Sequence, residues 1–321
     1  MTRRLAALLA LTSVLAACGG TVEQTAPGPR APAAQLLASP IGAPQPYERP
    51  GGVGAANGRS YFALEAGKLL RLSTLTGKVT RTYPVRGEWR LTGVSATGHW
   101  VALQRSATHI LVVDTRRGKV AHELQLAGRF RVETISTAGD FLFLQQDFPD
   151  GSYAVRGYDL AAGQMLPGSL GTKGEILQMQ GLASQVVASP DGRWLLTLYV
   201  NTQTNTAFVH ALNLIERIAL CINMPPCTKC DRRTLKRWGL ALAPDGRTLF
   251  AANPALGNVA TVYLPTTQVI AQSRFRPSPG AAATRAQLSE DGSRLVFTNG
   301  RTTWSFDPSS NLTDRVGAGE A

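Results

Sequence analysis

The sequence predicts an all-β fold, a β-propeller of about six four-stranded blades, with seven as the alternative. Three observations predict it. A glycine-ended turn followed by an apolar strand recurs six times, and a second polar turn follows each copy at a similar offset. The repeating region is also long enough that only a barrel or propeller could hold it as one domain.

The first residues precede the repeats and read differently. Met1-Thr2-Arg3-Arg4 is followed by a mostly apolar run over 5–17 and then by Cys18-Gly19-Gly20. A basic start, about 7–15 apolar residues and small residues before a cleavage point describe a secretory leader. The run is shorter than the roughly 20 apolar residues that span a bilayer. Leu15-Ala16-Ala17-Cys18 resembles the bacterial lipobox. The resemblance implies that the sulfur of Cys18 is acylated and that Cys18 opens the mature chain, with 1–17 removed. An ordinary leader with a chance cysteine at its end is the plain alternative. Each acyl CH₂ entering a bilayer contributes about 0.8 kcal/mol, so several chains hold a protein on a membrane without a spanning helix. The expected location is therefore outside the cytoplasm, at the periplasmic or extracellular face of the envelope, with no transmembrane helix in the mature chain.

Residues 18–50 change composition, through Ala26-Pro27-Gly28-Pro29 and Ala43-Pro44-Gln45-Pro46 to Pro50. Such a segment cannot bury a core and reads as an extended tether. Within it only 35–41 is apolar enough to add a strand.

Residues 51–316 carry the repeats, and 317–321 form a short tail. The first turn type ends at Gly58, Gly98, Gly139, Gly192, Gly246 and Gly292, separated by 40, 41, 53, 54 and 46 positions. A four-stranded blade takes roughly 40–50 residues. The second turn type spans 73–77, 114–118, 159–163, 213–217, 264–268 and 307–311. Asp or Asn at its start can bond its own backbone two residues on, and glycine supplies positive φ. A seventh unit would have to lie in the tether or in 171–180. Closure of the ring is expected to use one terminal segment to complete the blade of the other, with residues near 35–58 pairing with the strand at 303–307.

The motif Ala243-Pro244-Asp245-Gly246-Arg247-Thr248-Leu249, continuing to Pro254 and then to Gly257-Asn258-Val259-Ala260-Thr261-Val262-Tyr263, resembles the YVTN and WD40-like bacterial propeller families. The resemblance spreads over nearly the whole body and implies the fold, not an activity. Thr97 and Ala138 depart from it where an Asp usually precedes the glycine.

Loss of Arg3 and Arg4 with the leader takes the formal charge from +12 to about +10. A basic exported protein is drawn to anionic surfaces, here lipid headgroups, acidic wall polymers or nucleic acid outside the cell. The densest basic cluster is Lys229, Arg232, Arg233, Lys236 and Arg237, next to Trp238. Phosphate binding competes there with a plain solvated loop. No RRM, OB or helix-turn-helix signature accompanies the cluster, which argues against nucleic acid. An envelope protein or anionic polymer remains as the partner beside the membrane itself.

Three further cysteines, Cys221, Cys227 and Cys230, lie in one connection. In an oxidising compartment they give one disulfide and one spare thiol. A bridge from Cys221 to Cys227 or Cys230 ties a strand end to the loop and is the more useful mechanically. The C-x-x-C pair lacks the βαβ context of a redox motif. A Cys₃His zinc set with His210 is conceivable, but a hairpin centred on Ile215 would put His210 and Cys221 on opposite faces. No metal site is assigned.

Catalytic signals are sparse. His99, His109, His122 and His210 show no metal spacing such as H-E-x-x-H. Asp147 and Asp150 could ligate calcium, though Asp147-Phe148-Pro149-Asp150-Gly151 reads first as a turn. Asp191, Asp245 and Asp291 read as turn formers. No catalytic residue and no cofactor is assigned. The expectation is a non-enzymatic binding or scaffold lipoprotein at the cell envelope. The alternative is a propeller enzyme, a lactonase-like hydrolase or a quinone-dependent dehydrogenase, with its site at the central channel.

Overall fold

A computed structural model describes residues 52–318 except 173, 202, 228, 229, 279–282 and 290. Cys18, the tether and its apolar stretch at 35–41 lie outside the described residues.

Six four-stranded antiparallel sheets make a six-bladed β-propeller. Blade 1 holds β1 (Val53–Gly54), β2 (Ser60–Glu65), β3 (Lys68–Ser73) and β4 (Val79–Pro84); blade 2 holds β5 (Arg90–Val94), β6 (Trp100–Gln104), β7 (His109–Asp114) and β8 (Lys119–Gln125). Blade 3 holds β9 (Phe130–Ile135), β10 (Phe141–Asp147), β11 (Tyr153–Asp159) and β12 (Gln164–Met165); blade 4 holds β13 (Leu182–Ala188), β14 (Trp194–Asn201), β15 (Thr206–Asn213) and β16 (Ile218–Asn223). Blade 5 holds β17 (Gly239–Leu242), β18 (Thr248–Asn253), β19 (Asn258–Tyr263) and β20 (Gln268–Arg274); blade 6 holds β21 (Arg285–Leu288), β22 (Leu295–Thr298), β23 (Thr302–Asp307) and β24 (Leu312–Ala318). The last strand thus runs past 316. Among the described residues of 171–180 there is no seventh blade; their ladder contact is a single bridge, Tyr153 to Met179.

The first turn type shares one backbone hydrogen bond in every blade. The amide of Gly58, Gly98, Gly139, Gly192, Gly246 and Gly292 donates to the carbonyl three residues back, and each glycine has φ between 64° and 77°. Ser95, Ser136, Ser189 and Ser289 add a hydroxyl acceptor for the amide five residues on. Thr97 and Ala138 are tolerated in place of Asp because that serine already satisfies the entering strand. In blade 5, where Ala243 stands in place of the serine, Asp245 Oδ1 accepts from the amides of Arg247 at 2.8 Å and Thr248 at 3.1 Å.

The second turn type places positive φ at Gly77, Gly118, Gly163, Arg217, Thr267 and Asn311. The fifth of these turns sits one residue earlier than the sequence suggests, because Gln268 already pairs with Tyr263 as the first residue of β20.

Each blade is contiguous in sequence, which corrects the expected exchange between termini. β1 pairs with β2, and β23 pairs with β22 and β24. Residues 285–318 supply four strands themselves, so the last blade offers no vacant place. The blades are joined by side-chain packing. Successive seams bury Phe62 with Val101, Ile110 with Leu142, Phe143 with Tyr199, Val209 with Leu240, and Phe250 with Phe306. Fully burying such side chains contributes about 1.5–3 kcal/mol each. The other face of blade 1 presents Tyr61, Ala63, Leu70 and Leu72, and that of blade 6 presents Thr303 and Ser305, all buried.

Candidate functional site

Antiparallel strands put the turns between first and second and between third and fourth strands at one end, here called lower. The remaining turns and the inter-blade connections lie at the upper end. The lower turns converge: a Cβ at Gly192 would meet Thr137 of blade 3 and Ala96 of blade 2, and one at Gly246 would meet Asp191.

Charge divides between the ends. At the upper end the connection from blade 1 to blade 2 carries Arg86, Arg90 opens β5, the next connection carries Arg129, and Arg131 follows in β9. The connection into blade 6 is bounded by Arg274 and Arg285 and contains Arg276; upper turns add Lys68, Arg105 and Arg301. The acidic residues of these segments are Glu65, Glu88, Asp147, Asp150, Glu175 and Asp231. At the lower end the signs are interleaved. Arg217 meets Asp140 at 2.9 Å, Arg117 meets Asp114 at 3.7 Å and Arg294 meets Asp307 at 3.8 Å. Asp159, Asp191, Glu216, Asp245 and Asp291 largely offset Arg59, Lys78, Arg116, Lys119, Arg193 and Arg247 there.

The predicted basic cluster belongs to the upper end. Asp231 caps a short helix, α1 (Arg232–Leu235), accepting from the amide of Thr234 at 2.7 Å. Those hydrogen bonds, with Arg233 and Arg237 nearby, hold the Asp231 carboxyl below its ordinary range. Leu235 and Trp238 bury themselves in the seam between blades 4 and 5. Asn253 Nδ2 donates to the carbonyl of Thr234 at 2.9 Å, and Asn205 Nδ2 to that of Cys230. The loop is therefore pinned down, with Arg232, Arg233 and Lys236 exposed and Arg237 half-buried. Lys229 lies outside the described residues.

The disulfide is Cys227–Cys230, and Cys221 stands outside it. This corrects the preference for a bridge to Cys221. The reason is the face each occupies: Cys227 and Cys230 pack against the blade 4–5 seam, whereas Cys221 packs against the blade 3–4 seam, its Sγ 3.8 Å from Met179 Sδ. The hairpin register also differs from the one inferred. His210 pairs directly with Cys221, so the two share a face. The three-thiolate zinc set fails on a different ground, since two of its sulfurs are bonded to each other on the far side of the blade.

A recess at the upper end is lined by Gly87, Glu88, Trp89, Arg90 and Arg105. Arg105 stacks on the Trp89 ring at 4.6 Å, His109 meets the same ring edge-on at 4.9 Å, and Trp89 Nε1 donates to the Arg86 carbonyl at 2.7 Å. His109 Nε2 also pairs with Glu123 at 2.8 Å. The proposed calcium carboxylates are otherwise engaged. Asp147 accepts from Arg131 Nε at 3.0 Å and Nη2 at 2.9 Å, and Asp150 accepts from the amide and hydroxyl of Ser152 at 3.0 and 2.6 Å.

Sequence reasoning missed a titratable group beside this pair. On β9, Phe130 and Val132 face blade 2 and Arg131 the other side, while Glu133 is the unpaired residue of a bulge between Val132 and Thr134. Gln145 Nε2 donates to Asp147 Oδ1 at 3.2 Å, and Tyr199 OH to Gln145 Oε1 at 3.3 Å. Burial pushes the Glu133 carboxyl up to about 7, against the pull of Arg131. Deeper in the same seam, burial pushes His210 down to about 4, and its Nε2 has no hydrogen-bond partner among the described residues. The alternation of charged Arg131 and Glu133 with apolar neighbours in an innermost strand was the signal available.

No protein-family model matches the chain, and no curated protein matches it in sequence. Among solved structures, a chain of Kuenenia stuttgartiensis hydrazine synthase is similar over 87% of this chain and 99% of that one, at 14% identity and a TM-score of 0.38. No helix among the described residues is long and apolar enough to cross a membrane.

Proposed function

We propose that the chain is a lipid-anchored, extracytoplasmic β-propeller acting as a non-enzymatic binding or scaffold protein at the cell envelope. The observation that carries this reading is the uneven charge: the upper end holds the basic excess, while the lower end is nearly balanced. Arg232, Arg233, Lys236 and Arg237 are one sector of that end. Its anionic partner is consistent with a chain that opens with Arg3, Arg4, an apolar run and Leu15-Ala16-Ala17-Cys18. Fractionation with Cys18→Ala tests the anchor. The parent is expected in the detergent-extractable fraction after high-salt washing and the variant in the soluble fraction. A variant that stays membrane-bound after the wash rejects the anchor.

Glu133 favours a second reading, a propeller enzyme. A carboxyl on an innermost strand with a pKa of about 7 is matched to general acid–base work near neutrality. Hydrolysis of a panel of lactones and esters, abolished by Glu133→Gln with the fold intact, would support it; no turnover by the parent would reject it.

A further inference from the structure

We infer that the upper end of the propeller is a docking face for the surface of an anionic phospholipid bilayer. The inference rests on the lipid-anchored reading and names the partner of the basic end. Positive side chains stand around most of the upper rim, with Lys68, Arg86, Arg129, Arg233, Arg276 and Arg301 all exposed; the sector from the blade 3 hairpin to the connection into blade 4 holds Asp150 and Glu175 and no cation among the described residues. A linear polyanion is tracked by a groove or stripe. Charge spread around most of one end instead matches a flat surface, which several sectors meet at once. The attachment point agrees. β1 runs toward the lower turn at 55–59, so a tether leading from Cys18 joins the body from the upper side of that strand. Trp89, half-buried at the same end with its ring held by Arg105, is the residue type that sits at headgroup level. With the acyl chains on Cys18 holding the protein at the membrane, the basic end sets which end of the propeller faces the bilayer. Each Lys or Arg held near an anionic surface strengthens binding roughly fivefold, and the attraction fades within a Debye length of about 8–10 Å, so only the end that faces the membrane contributes.

The test uses the mature chain, 18–321, with Cys18→Ser so that no acyl chain contributes. Co-sedimentation is measured with vesicles of phosphatidylcholine alone and of equimolar phosphatidylcholine and phosphatidylglycerol. Two triple variants of equal charge change are compared, Arg90→Glu/Arg129→Glu/Arg276→Glu at the upper end and Arg59→Glu/Lys78→Glu/Lys119→Glu at the lower. Circular dichroism checks that both fold, and single substitutions replace any triple variant that does not. Binding is expected only to the anionic vesicles, to disappear in molar salt, and to fall by roughly a hundredfold in the upper variant while the lower variant keeps most of it. Equal losses in both variants, or indifference to phosphatidylglycerol, overturn the proposal. Retention on dextran sulfate without vesicle binding overturns it in favour of a polymer. A chain unlipidated at Cys18 in cells that still binds through the upper end refutes the anchor and leaves the docking face standing; a lipidated chain indifferent to phosphatidylglycerol does the reverse.

Discussion

His210 lies directly opposite Cys221 in the ladder between β15 and β16, on the face of blade 4 turned to blade 3, while the Cys227–Cys230 bridge packs on the other face of the same blade. Thiol exchange between Cys221 and that bridge therefore requires blade 4 to come apart. Alkylation of the denatured, unreduced protein followed by peptide mapping is expected to label Cys221 and to leave 227 and 230 in one linked peptide. A peptide linking Cys221 to either of them would contradict the arrangement.

Because the bridge joins residues only 3 apart, the chain entropy it removes is small, about 2 kcal/mol before any strain is counted. The double change Cys227→Ser/Cys230→Ser is expected to lower stability by no more than about that amount. Hydrogen exchange should rise over 224–237 while β14 and β18 stay protected. Loss of protection across blades 4 and 5 together would mean that the bridge organises the seam and does not merely restrain the loop.

Glu133 and His210 oppose one another in pH. Glu133 rises from 4.5 to about 7 on folding, so the folded state holds its proton more tightly, and the stability it contributes is full below 4.5 and is lost as pH rises through 7. His210 falls from 6.5 to about 4, so its contribution is full above 6.5 and is lost as pH falls through 4. Between 4.5 and 6.5 the two slopes have opposite sign and nearly cancel. Each is worth up to about 3 kcal/mol over its range. Chemical denaturation should find the Glu133→Gln variant losing stability toward acid in that window, and His210→Phe losing it toward neutrality. Two variants with the same slope as the parent would show that neither group is perturbed.

Thr267 adopts φ of 55° in the fifth of the second-type turns, where blades 1 to 3 use glycine. A β-branched residue is strained in that region, by about 1–2 kcal/mol, part of which glycine's greater chain entropy offsets. Thr267→Gly is expected to raise stability by about 0.5–1 kcal/mol. Arg217→Gly relieves the same strain at φ of 57° but removes the ion pair with Asp140 and the contact over Phe141, so it should gain nothing. A denaturant midpoint that moves equally in both variants would mean that the Arg217 contacts contribute nothing to stability.

The blades were legible in the sequence because each repeats one solution to one local problem: Gly58 and its counterparts need positive φ, and the strand that follows needs alternating burial. The same locality explains what was not legible. The pairing of Cys227 with Cys230 depends on which face of blade 4 each sulfur reaches, and that follows from a register one residue away from the inferred one. Arg131, Glu133 and Tyr199 meet across blades 3 and 4, from strands far apart in the chain, with no motif to join them. The basic end was visible only in the sector where Arg232, Arg233, Lys236 and Arg237 happen to cluster in one short stretch. Arg86, Arg129 and Arg276 join it only once the strands put their connections at one end.

Each blade is complete in itself, so the C-terminal residues matter through packing and not through strand exchange. Trp304 and Phe306 of β23 lie against Phe297 and Phe250, with the Trp304 and Phe297 rings stacked at 5.5 Å. Removing either side chain alone should cost about 3–5 kcal/mol. Deleting residues from 300 onward removes both together with β24, uncovers Ala241, Phe250, Ala252 and Val259 on blade 5, and leaves β22 as an unpaired edge. Such an edge beside a bare apolar face templates association. The truncated protein is therefore expected to aggregate, or to melt well below the parent with a broadened transition. Trp304→Ala, which keeps every strand, should melt earlier but as one cooperative step. A soluble truncated protein that melts as sharply and as high as the parent would show that blades 1 to 5 are stable without the sixth, and that the seam around Phe250 contributes little to holding the ring.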